Sequence, residues 1–132
     1  MHRTFYILAA LFGGTAVVLG AFGAHGLQNI TADEKILHSF QTAVQYQMYH
    51  ALALVAVAIL SSGSRLLKWA GNCFIIGILF FSGSLYAITA IKISENTSLE
   101  KIGIITPVGG LFFIAGWLLL LIAAINSKGL KR

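Results

Sequence analysis

Four apolar runs occupy most of the 132 residues, near residues 5–24, 46–62, 70–91 and 103–125. Each is close to the roughly 20 residues that a helix needs to cross a hydrocarbon core about 30 Å thick. This pattern predicts an all-α membrane protein of four transmembrane helices, packed as a four-helix bundle. The linkers are too short for an extramembrane unit, so residues 1–132 form a single four-span membrane domain. Composition agrees: 58% of residues are hydrophobic and 10% charged, and mean hydropathy is +0.86, against roughly 45–50% and 25% in soluble domains.

The net charge of +5 would point to nucleic acid in a soluble protein. Here the basic residues flank spans, where they orient helices, and no basic stripe tracks a phosphate backbone. Arg3, Arg65, Lys68, Lys128, Lys131 and Arg132 fall on one side; Asp33, Glu34, Glu95 and Glu100 fall in the other two linkers. An excess of Lys and Arg on cytoplasmic loops then predicts both termini and the 61–69 loop inside. The N-terminal run imitates a secretory signal in its small residues Ala21-Phe22-Gly23-Ala24. It is longer than the roughly 7–15 residues of a signal's apolar region, so it is expected to stay as the first span. Cys73 is the only cysteine, which excludes an intramolecular disulfide and leaves a Cys-based metal site without partners.

The two outward linkers share one word, T-x-x-E-K-I, at Thr31–Ile36 and Thr97–Ile102, half the chain apart. T-x-x-E is a capping box in which Thr and Glu satisfy each other's end amides. The repetition predicts two parallel two-helix repeats, each with an interfacial helical segment before its second span. Residues 32–45 support this with an amphipathic pattern, and Pro107 is expected to re-aim the second such segment by removing an amide donor. In lipid, small residues mark the faces where helices meet. Gly13 and Gly20 in span 1, Gly83 in span 3, and Gly109, Gly110 and Gly116 in span 4 are the expected packing notches.

Span 2 differs from the others. Gln45-Tyr46-Gln47-Met48-Tyr49-His50 puts polar groups into its outer end, where they are costly unless partnered. Ser82, Ser84, Tyr86, Thr15 and Thr106 are available partners. His25, beside Gly26, reads as a helix C-cap. His25, His38 and His50 lack a tight ligand spacing, so no metal site is expected. No Asp, Glu, Lys or Arg lies within a span, which speaks against a proton-driven transporter. Neither a G-x-S-x-G elbow, a P-loop nor an H-E-x-x-H is present, so no catalytic residues are assigned.

Gly20-Ala-Phe-Gly-Ala-His25-Gly26-Leu27, with Tyr46-Gln-Met-Tyr-His50-Ala-Leu-Ala-Leu54, resembles the domain-of-unknown-function 423 family. These are small bacterial membrane proteins, and the family extends to eukaryotic transmembrane protein 256. Phe81-Ser-Gly-Ser-Leu-Tyr86 and Ile105-Thr-Pro-Val-Gly-Gly110 resemble its later motifs. The resemblance implies a multi-pass protein of the bacterial plasma membrane and implies no reaction.

The functional expectation is a non-enzymatic integral membrane protein without a cofactor. An outer-leaflet polar pocket would take a lipid headgroup, a small ligand or a partner helix. Candidate ligand-binding residues are His25, Gln45, Gln47, Tyr49, His50, Ser84 and Tyr86. Expected partners are the lipid bilayer and a homo-oligomer or another membrane protein, with no nucleic acid. The alternatives are a small oligomeric transporter or channel and, third, an intramembrane enzyme using His50.

Overall fold

The computed structural model describes residues 2–61, 63–94 and 97–126, with the backbone alone at 97–100. Among them are four helical stretches long and apolar enough to span a membrane. The first is α1 (Arg3–Ile30) and the second α2 (Glu34–Leu60). The third is built from α3 (Arg65–Gly77), a π-helical turn (Ile78–Ser82) and α4 (Gly83–Ile93). A 3-10 segment (Thr97–Ile104) then leads into α5 (Ile105–Asn126), the body of the fourth.

Consecutive spans run antiparallel, and α2 is the central one. In its most apolar window 44% of residues are buried, against 17% in the first and fourth spans. The outer faces of the latter carry bare Val18, Leu111, Ile114 and Leu121, as lipid-facing surfaces should. The core joins Phe5 and Ala9 of α1 to Leu54 and Val57 of α2, Phe74 of α3 and Phe113 of α5. Small residues set how close the helices come. Ala9 and Ala16 of α1 are almost fully buried, and a methyl on Gly20 would stand 3.3 Å from Val44.

The tightest approach is between α5 and the π-helical turn. A methyl on Gly109 would stand 2.7 Å from Phe81 Cα and against the Phe81 amide nitrogen, contacts with backbone that cannot swing aside. Gly116 of α5 faces the Phe74 ring, and Gly77 faces Phe113. Gly13 and Gly110 make only ordinary contacts, with Ala51 and with the Phe81 ring, and nothing lies within 4 Å of a methyl on Gly83.

Several local expectations are corrected. Thr31 does not start a helix: it terminates α1 in extended conformation, and its hydroxyl accepts from the Asp33 amide. The N-cap of α2 is Asp33, whose carboxylate accepts from the Lys35 amide. A carboxylate one residue from the helix start also meets the positive end of the helix dipole. The side chains of the matching box at 97–100 lie outside the described residues. His25 and Gly26 do not cap α1, which continues past them to Ile30; the one glycine with positive φ among the described residues is Gly63. Pro107 sits in the first turn of α5, just after the 3-10 segment gives way to α-helix, where its ring removes one amide donor. Residues 34–45 are the opening turns of one unbroken α2.

Candidate functional site

Because α2 begins at Glu34, its polar sextet stands near mid-height. Gln47 lies about 20 Å along the helix at 1.5 Å per residue, close to the midpoint of its 27 residues. Residues 47 and 50 share one face of α2, while 45 and 49 fall on another. The inner face is enclosed, with Gln47 and His50 buried; Gln45 and Tyr49 are exposed, and Tyr46 lies between the two faces, 39% exposed.

Gln47 joins three spans. Its Nε2 donates to the Phe12 carbonyl and to Thr15 Oγ1, both at 2.8 Å, and its Oε1 accepts from the Tyr86 hydroxyl at 2.8 Å. Thr15 in turn donates to the Leu11 carbonyl within α1. The amide thus uses both donors and its acceptor on α1 and α4. Two further bonds do the same elsewhere. Ser82, fully buried at the end of the π-helical turn, donates to the Ala43 carbonyl of α2 at 2.7 Å. Ser84 donates to the Phe81 carbonyl and bonds the Thr106 hydroxyl of α5; its single proton being committed, Thr106 is the donor of that pair.

His50 is held from three directions. Nδ1 lies 2.7 Å from the Tyr46 carbonyl, which only accepts, so Nδ1 carries the proton. The unprotonated Nε2 then accepts from the indole N–H of Trp117 at 3.1 Å. The ring lies flat on Phe113, centroids 3.5 Å apart and 7° from parallel. Both nitrogens are engaged, and the arrangement is that of a neutral imidazole. A base needs a free lone pair directed at its nucleophile. His50 has none to give Ser84, whose own hydrogen bonds go to the π-helical turn and to α5.

Beside this ring a cleft of about 580 Å³ opens sideways between α2 and α5, lined by Tyr46, Tyr49, His50, Phe81, Gly110, Phe113, Ile114 and Trp117. Tyr46 stacks on Phe81 with centroids 4.6 Å apart, and Trp117 packs edge-on against Phe74. A smaller groove of about 210 Å³ lies between α1 and α2 near the 31–33 turn, floored by Gly20 and Gly23 with Gln28 and Gln41 among its lining residues.

Of the residues picked from the sequence, Tyr49 and His50 meet in the aromatic cleft. Gln47 and Tyr86 bond each other, and Ser84 bonds Thr106. His25 and Gln45 are exposed and join neither the buried hydrogen bonds nor the cleft. Trp117 and Phe113 were not picked. The available signal was the one indole N–H in a span whose only other polar side chain within 103–125 is Thr106. No group of three or more His, Cys, Asp or Glu able to hold a metal occurs among the described residues.

Comparison with known proteins places the chain. A family model described as "Protein of unknown function (DUF423)" matches residues 19–110. The chain belongs to the DUF423 family. Relatives include the UPF0382 membrane protein of Staphylococcus haemolyticus, 44% identical over 96% of this chain and 99% of that protein. The UPF0382 membrane protein YwdK of Bacillus subtilis is 44% identical over 94% and 98%. The corresponding protein of Staphylococcus saprophyticus is 47% identical over 91% and 95%. The relatives' lengths match this DUF423 chain almost end to end, and their names state a membrane protein and no activity. No solved structure matches it.

Proposed function

We propose that this DUF423 protein is a non-enzymatic protein of the bacterial plasma membrane that binds a molecule entering from the bilayer into the aromatic cleft between α2 and α5. The observation that carries the reading is the cleft itself. It opens at mid-height, its walls are aromatic, and it takes in Tyr46 and Tyr49, whose hydroxyls make no hydrogen bond among the described residues. A phenol in hydrocarbon without a partner is costly, so an occupant that supplies one is favoured. The pocket expected to be polar and outward-facing is thereby relocated: the polar groups serve one another, and the available surface is the ring-lined side of the same α2 segment.

A conduction path is less well supported, because the buried polar groups form closed hydrogen bonds between neighbouring spans rather than a column from one end to the other. An enzyme is less well supported because both His50 nitrogens are engaged. Arg3, Arg65 and Lys68 at one end of the bundle support an orientation with both termini cytoplasmic.

Native mass spectrometry of the protein released from lipid nanodiscs tests the reading. The expected result is a discrete added mass on the wild-type chain, lost when Tyr49→Ala and Trp117→Ala are combined. A bare monomer under the gentlest release would remove the binding role, and a bare oligomer would move the weight to an assembly in which copies cover each other's clefts.

A further inference from the structure

We propose that the occupant of the cleft is the ring of a lipid-dissolved quinone, a flat uncharged ring bearing carbonyl oxygens, with its isoprenoid tail left in the bilayer. The inference rests on the binding role proposed above and adds the ligand's chemistry, for which three properties of the cleft argue.

The first is charge. None of the lining residues carries a formal charge, and the hydrogen bonds of His50 hold it neutral. A phosphate or carboxylate would have no counter-ion here and would lose its hydration. That sets aside phospholipid headgroups and leaves neutral molecules.

The second is shape. The walls carry the rings of Tyr46, Phe81, Phe113 and Trp117, and aromatic walls favour flat partners that stack offset or edge-on. The volume of about 580 Å³ falls in the range of small-molecule sites, roughly 300–1,000 Å³. The open side faces the apolar flank of α5, where Ile114 and Leu118 are more than half exposed. A ring can enter there while an apolar tail stays in lipid.

The third is hydrogen-bond complementarity. Tyr46 and Tyr49 bring two hydroxyl donors with no acceptor among the described residues, whereas the Trp117 N–H is already given to His50. Two free donors in a medium without water call for acceptors, and carbonyl oxygens on a flat ring supply them. Only binding is inferred, with no electron transfer.

The protein's tryptophans, Trp69 and Trp117, allow a direct test. In full-length Trp69→Phe protein in nanodiscs, Trp117 is the sole indole, and a naphthoquinone with a short prenyl tail serves as both ligand and quencher. The expected result is quenching that saturates with quinone mole fraction and is shifted about tenfold or more to higher fraction by adding Tyr46→Phe and Tyr49→Phe. Those changes keep the rings and remove only the donors, at about 1 kcal/mol per hydrogen bond. Circular dichroism and gel filtration confirm that the variants fold.

Quenching that rises linearly without saturation, or that ignores the double variant, overturns the quinone assignment. If acyl-brominated phospholipid instead quenches Trp117 with saturation in its mole fraction, a lipid chain fills the cleft, and the binding role survives without its proposed ligand. If neither quencher reaches Trp117 and a Tyr49→Cys, Cys73→Ala protein crosslinks to a second copy, the cleft is a self-association face and both proposals fall.

Discussion

Gln47 and His50 decide how the bundle interior behaves, and each makes a separate claim. Gln47→Leu leaves the Tyr86 hydroxyl without its acceptor and removes the amide bond to Thr15. It is expected to destabilise the protein by about 1–3 kcal/mol, measured by denaturant unfolding in mixed micelles. Tyr86→Phe, which strands only one lone pair, should cost less. The double variant should fall short of the sum by about 0.5–2 kcal/mol, the span measured for interhelical bonds in membranes; strict additivity would mean that the two side chains do not interact. For His50 the structure requires the neutral tautomer protonated at Nδ1. Nitrogen-15 spectra of ring-labelled protein in bilayers should show one protonated Nδ1 and one bare Nε2, and a proton on Nε2 would contradict the Trp117 bond. These contacts were only partly legible beforehand. Thr15 and Tyr86 stood out as available partners because polar residues are rare in these spans. Yet the segment Gln45–His50 is polar on two faces, and helical spacing says which residues go together, not which set turns inward. That choice depends on what α1 and α4 present at the same height. Trp117 escaped notice because a single indole in an apolar span resembles lipid-facing surface, and Trp117 is indeed 48% exposed while its N–H reaches His50.

Among the elements, the π-helical turn is the least regular, and Gly109 is fitted to it. The backbone of Phe80 and Phe81 meets α5 where Gly109 has no side chain, and the widened turn ends on Ser82, which reaches α2. Gly109→Ala forces the helices apart and is expected to lower stability by about 1–3 kcal/mol, the usual cost of overpacking, with a matching fall in the thermal midpoint. Gly83→Ala is the internal control. With nothing within 4 Å of the added methyl, it should be neutral or slightly stabilising, since glycine within a helix is less favourable than alanine by up to about 1 kcal/mol. If both variants lost equal stability, the close approach assigned to Gly109 would be refuted. Glycines read from a sequence advertise notches without saying which are filled. Gly83 and Gly109 looked alike there, and only the register of the third span against α5 separates them. The same limit applied at the helix ends. T-x-x-E fits a capping box wherever it occurs, but a nearer acid, Asp33, takes the Lys35 amide in the first turn of α2, and Thr31 is left to end α1.

For the whole molecule, the number of spans was legible because hydrocarbon thickness imposes a length on any apolar helix, and four runs of that length admit few alternatives. How the spans enclose one another was not, because apolar residues that face lipid and those that face protein are drawn from the same set. The centrality of α2 follows from its being the span with polar groups that need partners on several sides. Sidedness rests on the distribution of Lys and Arg, and it makes the last prediction. In a Cys73→Ala background, single cysteines at Ala32 and at Gly63 probe the two ends of the bundle, since 31–33 and 61–64 are the turns that flank α2. With Arg3, Arg65 and Lys68 drawing the 63 turn to the cytoplasmic side, a membrane-impermeant maleimide added to intact cells should label the cysteine at 32 and leave that at 63 unmodified until the membrane is opened. The reverse pattern would invert the topology and exchange which leaflet borders each end of the aromatic cleft. Equal labelling of both sites in intact cells would mean that the protein inserts in two orientations, so that charge asymmetry alone does not orient this bundle.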